Sequence, residues 1–366
     1  MSVSATLVRG GTSKCWVFDR AVVPATTDAL SEMLIDLFGA QDRSQIDGVG
    51  GGTSVTSKAM VVGPASDPAD DIDYLFGQVP VGGSAVEWGS NCGNCASAVA
   101  LWSIENGYFD PKSGRGMRMR NRNTGALLEA TVDQERRDVV IPGVAGTGTS
   151  VTITFVLPHH RPAADTGKPA ASAIEWPTGR STDTLRVDGL DVECHLFRAG
   201  TPVALVRAEQ LGLPSSPTAA HLRQRMAVIG ALRTQAGIAM GLYDEMSAQK
   251  AIPKLGILTP TEDYVTEDGA AVSGAAYDVG VRMISMDAMH PSIGLTAVSA
   301  IAALAQAQLG VLPVPADPST VRIATPAGIT AATVSSTADL TRVGVARSAR
   351  VLARSELFGH HDSRSA

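Results

Sequence analysis

The hydrophobic positions of the chain form short runs that end in turns rich in glycine, serine and threonine. Most runs alternate apolar and polar residues or carry β-branched side chains, which is typical of strands. They predict strands at residues 3–8, 15–18, 58–62, 72–79, 138–141, 151–157, 190–198, 202–206, 253–258, 281–286, 321–328 and 343–352, and a hairpin over 118–131. Apolar residues at helical spacing predict helices over 27–38, 96–104, 221–237 and 297–309.

Two of the predicted helices, 96–104 and 297–309, are largely apolar. Each follows a strand and a polar loop that contains glycine and serine, so the second half of the chain repeats the order of the first. Because a helix without a polar face is normally buried, each of these helices is expected to lie inside its own sheet. The pattern predicts a pseudo-duplicated protein that contains both strands and helices, an α/β (α+β) fold.

A chain of 366 residues is long enough for two domains of ordinary size. The stretch 163–183 is rich in alanine, proline, threonine, serine and glycine, and it is the best linker. We therefore expect an N-terminal domain over 1–183 and a C-terminal domain over 184–345. Residues 346–366 form a terminal strand and tail that can return to the first domain, with fraying expected from Glu356 onward.

The composition excludes several classes of partner. The net charge is −6 without a long basic cluster, which argues against nucleic acid as the main partner. No segment approaches the roughly 18 uninterrupted apolar residues of a membrane span. The first residues do not resemble a signal peptide, and four cysteines in a chain of this length do not form a disulfide framework. The expected location is the cytoplasm, with reduced thiols.

The loop before the helix at 96–104 carries Cys92 at its centre. A helix that begins near Asn94 would direct unpaired N–H groups and a positive partial charge at this thiol, lowering its pKa and attracting carboxylates. The alternative is a buried structural cysteine beside a turn. Cys92 and Cys95 also have CxxC spacing, but no second such pair follows, so a redox pair or half of a zinc site is a weak interpretation.

Two further turns combine glycines, hydroxyls and a lysine: Arg9-Gly-Gly-Thr-Ser-Lys14 and Gly52-Thr-Ser-Val-Thr-Ser-Lys58. Each is either an anion-binding turn or a plain hairpin turn. Lys58 enters an apolar strand, where desolvation would make it a candidate base, although a solvated strand end is the simpler alternative. The pair His159-His160 has no second ligand cluster at metal spacing, so we predict no metal site.

These two motifs together with Ser90-Asn-Cys-Gly-Asn94 resemble the PrpF family, whose members include 2-methylaconitate cis–trans isomerase, methylitaconate Δ-isomerase and 4-oxalomesaconate tautomerase. Further similarities are Ile252-Pro-Lys254, Met289-His290 and Thr325-Pro-Ala-Gly328, so the resemblance covers nearly the whole chain. It implies a diaminopimelate-epimerase-like fold, in which two pseudo-duplicated domains each wrap a mixed sheet around a central helix.

The resemblance also implies a cofactor-independent isomerase or tautomerase of unsaturated di- or tricarboxylates, acting by allylic proton transfer or cis–trans isomerisation, and a homodimer. It assigns Lys58 and Cys92 to proton transfer. Substrate carboxylates would be held by donors from several turns: Thr12, Ser13, Lys14, Thr53, Ser54, Thr56, Ser57, Asn91, Gly93, Asn94, Lys254, His290, Ser292 and Thr325.

Two other functions stay open at the level of sequence. Racemases of the wider fold place a cysteine before each central helix, whereas the second helix here is preceded by Met289-His290-Pro-Ser292, which disfavours symmetric two-thiol racemisation. A non-catalytic carboxylate-binding accessory protein would keep the turns without turnover. Three departures from the usual family pattern, Cys15, Cys95 and Thr325, bear on the choice of substrate.

Overall fold

The computed structural model describes residues 2–160 and 172–360. Its α-helices are α1 (Thr27–Phe38), α2 (Gly93–Glu105), α3 (Ala219–Gln224), α4 (Met226–Ala239) and α5 (Leu295–Gln306). Its strands are β1 (Ser2–Gly10), β2 (Ser13–Asp19), β3 (Lys58–Pro64), β4 (Ile72–Gln78), β5 (Met117–Asn121), β6 (Leu127–Asp133), β7 (Thr149–Pro158), β8 (Asp183–Val187), β9 (Leu190–Arg198), β10 (Pro202–Arg207), β11 (Lys254–Thr259), β12 (Tyr264–Val265), β13 (Ala271–Val272), β14 (Val279–Ser285), β15 (Ala288–Met289), β16 (Thr320–Thr325), β17 (Gly328–Ser336) and β18 (Leu340–Phe358).

The chain divides into two compact units. Unit 1 contains Met1–Ile153 and Arg347–Ala366, and unit 2 contains Thr154–Ala346. The predicted domain boundary after residue 183 differs from this division, because the chain leaves unit 1 within the continuous strand β7 and not in a proline- and glycine-rich loop. Of the predicted linker, residues 163–171 lie outside the described residues, and the rest belongs to unit 2.

Unit 1 is a ring of strands around α2. Its strand order is β1-β2-β3-β4-β5-β6-β7-β18, and β18 also pairs with β1, which closes the ring. Every residue from Gly93 to Ser103 in α2 is buried, as expected for a helix with small or apolar residues on all sides. Helix α1 lies on the outer face, where Leu30, Leu34 and Phe38 pack against apolar side chains of β2 and β3.

Unit 2 repeats this chain path. In unit 1, the hairpin β1–β2 is followed by α1, β3 parallel to β2, β4 antiparallel to β3, the central helix α2, β5 parallel to β4 and β6 antiparallel to β5. In unit 2, β9–β10, α3–α4, β11, β14, α5, β16 and β17 follow in the same order with the same parallel and antiparallel pairings. The predicted duplication and mixed sheets are therefore confirmed.

Helix α5 is the central helix of unit 2. All residues from Leu295 to Ala305 are buried. Helices α3 and α4 pack on the outer face of the unit 2 sheet, where Leu222, Ile229 and Leu232 join the apolar side chains of β9, β10 and β11. None of the helices in residues 2–160 and 172–360 has the length and apolar character needed to cross a membrane.

Several predicted elements differ from the structure. Residues 138–141 form only one bridge, Val139 with Gly148, and Val140 is exposed, so the apolar run there is not a strand. The helix predicted over 221–237 is broken at Arg225 into α3 and α4. Fraying from Glu356 is wrong as far as Phe358, because β18 is paired with β1 up to that residue.

Candidate active site

The turn between β1 and β2 packs directly on the first turn of α2. Gly11 has a φ of +53°, and a Cβ on Gly10 would lie 2.3 Å from the backbone oxygen of Asn94. Only glycine fits this approach. As a result, the Asn94 side-chain amide donates to the Thr12 hydroxyl at 3.1 Å, and the sequence motifs that contain these residues are brought together.

The glycine- and hydroxyl-rich turn before β3 joins the same region. The Lys14 backbone N–H donates to the oxygen of Val55 at 3.0 Å, which links the two turns. Thr53 and Thr56 hydrogen bond through their hydroxyls at 2.7 Å. Gln45 stabilises this turn. Its amide nitrogen donates to the Ser57 hydroxyl at 2.9 Å, and its amide oxygen accepts from the backbone N–H of Gly52 at 2.8 Å.

Lys58 is buried at the start of β3, with 6% of its surface exposed. Its ammonium donates to the side-chain oxygen of Gln78 at 2.5 Å and lies 5.0 Å from the centroid of the Phe76 ring. Within residues 2–160 and 172–360, no carboxylate forms an ion pair with it. Of the two interpretations that the sequence left open, the desolvated lysine is the correct one.

Cys92 is the N-cap residue of α2. Its sulfur accepts from the backbone N–H of Cys95 at 3.4 Å, and the residue is half-buried. The predicted lowering of its pKa is wrong: a hydrogen bond with the buried Cys95 thiol, followed by burial, raises the pKa of Cys92 well above its usual value, whereas the charge of Lys58 acts in the opposite direction. Burial, followed by the Cys15 thiol, raises the pKa of Cys95 as well, so Cys92, Cys95 and Cys15 form a chain of neighbouring thiols at the helix start.

The remaining residues of the third motif are buried beside Cys92. Gly93 is the first residue of α2. The Asn91 side chain is hydrogen bonded to the hydroxyl of Tyr74 at 2.9 Å, and burial raises the pKa of that phenol. Tyr74, Phe76 and Gln78 occupy alternate positions of β4 and were missed by sequence reasoning. A signal existed, because β4 ends with a glutamine that continues the period-two series of two aromatic side chains.

The predicted site residues of unit 2 are distributed over three places. Lys254 is half-buried at the start of β11. His290 and Ser292 lie together before α5, where the Ser292 backbone N–H donates to Nδ1 of His290 at 3.0 Å, so the neutral ring carries its proton on Nε2. The buried Thr325 hydroxyl donates to the oxygen of Gly328 at 2.8 Å and is therefore engaged within the β16–β17 turn.

The described part of the chain contains no group of three histidine, cysteine, aspartate or glutamate side chains placed to hold a metal ion. The ring of His159 contacts the oxygen of Ala338 at 3.2 Å and the hydroxyl of Thr341 at 3.0 Å, which explains its position without a metal.

The sequence matches the family described as PrpF protein over residues 1–360. A 2-methyl-aconitate isomerase from Shewanella oneidensis is 32% identical over 325 residues, 82% of this chain and 80% of that protein. A 3-methylitaconate isomerase from Eubacterium barkeri is 28% identical over 350 residues, 90% and 89% of the two chains. A 4-oxalomesaconate tautomerase from Pseudomonas putida is 32% identical over 267 residues, 70% of each chain.

Solved structures agree with these relatives. The crystal structure of a methylitaconate-delta-isomerase is 25% identical, covers 100% of this chain and 99% of its own, and has a TM-score of 0.72. A hydroxyproline epimerase from Agrobacterium vitis, only 14% identical, covers 98% and 94% with a TM-score of 0.58 and shows the fold alone. The diaminopimelate-epimerase-like fold predicted from the sequence is thereby confirmed, and the chain belongs to the PrpF family.

Proposed function

We propose that this chain isomerises an unsaturated di- or tricarboxylate without a cofactor, by an allylic proton shift or by cis–trans isomerisation. The named relatives are isomerases and a tautomerase of such acids, and the chain is an isomerase. The observation that supports the proposal most strongly is a buried amine in the same unit as a thiol at a helix start: Lys58 is buried at the start of β3, and the Cys92 sulfur caps α2, where the charge of Lys58 opposes the rise in the pKa of Cys92.

The reaction needs a base that removes a proton from the carbon next to a double bond, and an acid that returns a proton at another carbon. We assign Lys58 as the base, because its amine is buried and contacts only neutral groups among the described residues. Cys92 is the better acid, because its raised pKa keeps the thiol protonated near neutral pH. The proton leaves carbon for the neutral form of the Lys58 amine, and the Cys92 thiol protonates the resulting dienolate at the new position. Transfer of a proton from the Lys58 ammonium to the Cys92 thiolate then restores both groups.

Charge develops on the substrate as the dienolate forms, and fixed donors stabilise it. We propose that the first N–H groups of α2 serve this role with the hydroxyls of Thr12 and Ser13, since the β1–β2 turn contacts the first turn of α2. The remaining carboxylate donors are proposed from the other turns: Lys14, Thr53, Ser54, Thr56, Ser57, Asn91, Gly93, Asn94, Lys254, His290 and Ser292.

Further properties belong to the same proposal. All four cysteines are free, which is consistent with a reducing compartment, and we propose the cytoplasm. A homodimer and the absence of a nucleic-acid partner remain expectations from the family resemblance and from the net charge of −6.

Proton NMR in deuterated water tests the function directly. The protein is incubated with cis- and trans-aconitate, 2-methylaconitate, methylitaconate and oxalomesaconate, beside Lys58→Ala and Cys92→Ser. Lys112→Ala and Cys194→Ser are matched controls, because Lys112 is exposed and Cys194 is buried in unit 2.

Isomerisation with deuterium incorporation, lost in Lys58→Ala and retained in both controls, supports the proton shift and identifies the substrate class. Exchange of the α-proton of an amino acid would replace the proposal with a racemase or epimerase. Binding of these acids without any reaction would replace it with a carboxylate-binding accessory role.

A further inference from the structure

The side chain of Gln78 is oriented by more than its contact with Lys58. Residues 58 and 78 are direct partners in the antiparallel β3–β4 pair, and Gln78 is only 5% exposed. Its amide nitrogen donates to the backbone oxygen of Ser57 at 3.0 Å and to that of Ser54 at 3.2 Å. A flipped amide would direct its oxygen at these carbonyls and its N–H groups at the ammonium, so only one orientation is compatible with the surroundings.

The backbone around Gln78 is fixed as well. Its N–H donates to the oxygen of Glu87 at 3.1 Å, and the Glu87 N–H donates back at 3.0 Å. The next residue, Val79, donates to the oxygen of Ser57 at 3.2 Å. Gln78 thus connects β4 to the turn before β3. These contacts fix its side-chain oxygen in one position, 2.5 Å from the Lys58 nitrogen.

We infer that Gln78 is a positioning residue for Lys58. Its amide oxygen holds the amine in one position, and because this oxygen is uncharged, Lys58 can still release its proton. A carboxylate at this distance would stabilise the ammonium far more strongly and retain the proton. The catalytic value of this contact rests on the proposed function, in which Lys58 is the base, but the contact itself does not.

Two variants change this contact in opposite directions. Gln78→Met keeps the length of the side chain and removes the acceptor, so the charged form of Lys58 loses a stabilising hydrogen bond. Gln78→Glu replaces the amide with a carboxylate. The titration midpoint of Lys58 should therefore fall in Gln78→Met and rise in Gln78→Glu, by about one to three pH units in the latter.

The titration can be followed by NMR of the folded protein with lysine labelled at ¹³Cε and ¹⁵Nζ. The chain has only six lysines, and the Lys58 signal is identified by its absence in Lys58→Met. Exposed Lys112 is the internal reference and should keep its midpoint in every variant. A general loss of packing would not shift the Lys58 titration midpoint in opposite directions in the two variants. Opposite shifts therefore distinguish the specific effect from a loss of packing.

Kinetics provide the second readout. In Gln78→Glu, the rise of kcat/KM with pH should move upward together with the Lys58 midpoint, lowering kcat/KM at pH 7 by about 10- to 1000-fold. In Gln78→Met, kcat should fall with little change in KM, because the base is less well placed while the carboxylate donors remain.

Midpoints of Lys58 that coincide in wild type and both variants, or that move in the same direction, would overturn the inference. The titration needs no substrate, so it tests the role of Gln78 even if none of the acids is isomerised. A lack of isomerisation would refute the proposed function alone. Conversely, an active enzyme with an unmoved Lys58 midpoint would refute the role of Gln78 alone.

Discussion

The two units place a lysine at the same point of the same chain path, but they surround it differently. Lys58 and Lys254 are each the first residue of the strand that runs parallel to the preceding hairpin strand. Lys58 is buried against Gln78 and Phe76, whereas Lys254 is half-buried. The repeated fold therefore determines the position of the lysine, whereas the neighbouring side chains determine its chemical environment.

The starts of the two central helices differ in the same way. Helix α2 begins after Cys92, whose sulfur caps the helix, and α5 begins after Gly294, which provides no side-chain cap. The chemistry proposed for unit 1, a thiol beside an amine, has no counterpart in the loop before α5, where His290 and Ser292 stand. In the proposed function, one copy of the repeat thus carries the proton-transfer groups, and the other supplies polar donors.

Replacing each lysine separately tests whether the two residues have different roles. Lys58→Met removes the proposed base, and loss of a general base should lower kcat by about 10²- to 10⁴-fold. Lys254→Met removes a cation proposed to bind a carboxylate in both ground and transition states, so it should raise KM with little change in kcat. Steady-state kinetics on the substrate identified by NMR checks both. Equal losses of kcat would show that the two lysines share the chemistry.

The hairpin turns of the two units offer a second comparison, because Arg9-Gly-Gly-Thr12 corresponds to Arg198-Ala-Gly-Thr201. At the position of Gly10 unit 2 already carries a side chain, that of Ala199, whereas a Cβ on Gly10 would meet backbone atoms of α2 at 2.3 and 2.8 Å. At the next position of the turn, a Cβ on Gly200 would meet only the tip of the Leu157 side chain, at 2.7 Å. Backbone cannot yield, but a side chain can.

We expect Gly10→Ala to lower the free energy of unfolding by about 3 kcal/mol or more. Gly200→Ala should cost about 1–2 kcal/mol, mainly through its positive φ of +70°. Urea denaturation of both variants measures the difference. A larger loss for Gly200→Ala would mean that the turn of unit 1 does not depend on its close contact with α2.

The thiol chain at the start of α2 gives a third test. Because the hydrogen bond that the Cys92 thiol donates to Cys95 is the largest cause of the raised Cys92 pKa, Cys95→Ala should lower that pKa and increase the thiolate fraction. Alkylation of Cys92 by iodoacetamide at pH 8, followed by mass spectrometry, should accelerate about tenfold for each pKa unit. Cys194→Ala is the control in unit 2, since burial there raises the pKa of Cys194 to about 12 away from this chain. An unchanged rate in Cys95→Ala would leave burial alone as the cause.

Local patterns were sufficient to predict most of the strands, the central helices and the duplication, and they offered the buried lysine as one of two alternatives. They could not identify Gln78 or Gln45, because each acts through contacts with residues distant in sequence: Gln78 with Lys58, and Gln45 with Gly52 and Ser57. The sign of the Cys92 pKa shift failed for a related reason. The helix start was predicted correctly, but the opposing effect comes from a hydrogen bond with Cys95 and from the burial of Cys92, which depend on the packing around them.

His360, which follows β18, forms two contacts with carboxylates of unit 1. After β18, the ring of His360 lies between two carboxylates of unit 1, with Nδ1 at 2.5 Å from Asp36 and Nε2 at 3.0 Å from Asp47. Hydrogen bonds with Asp36 and then Asp47 raise the pKa of His360 above its usual 6.5. The corresponding comparison in unit 2 is His159, whose ring contacts a backbone oxygen and a hydroxyl.

The raised pKa gives the contact a defined pH dependence. Its stabilisation is complete below about pH 6.5, the unfolded pKa, and it is lost as the pH rises through the higher folded pKa. His360→Gln should therefore lower Tm at pH 6 by about one or two degrees and have no effect at pH 9, since exposed pairs contribute little. His159→Gln is the control in unit 2, because its ring contacts only a backbone oxygen and a hydroxyl. Thermal unfolding of the two variants at both pH values tests this, and a loss for His360→Gln that persists at pH 9 would show that the ring acts through packing and not through its charge.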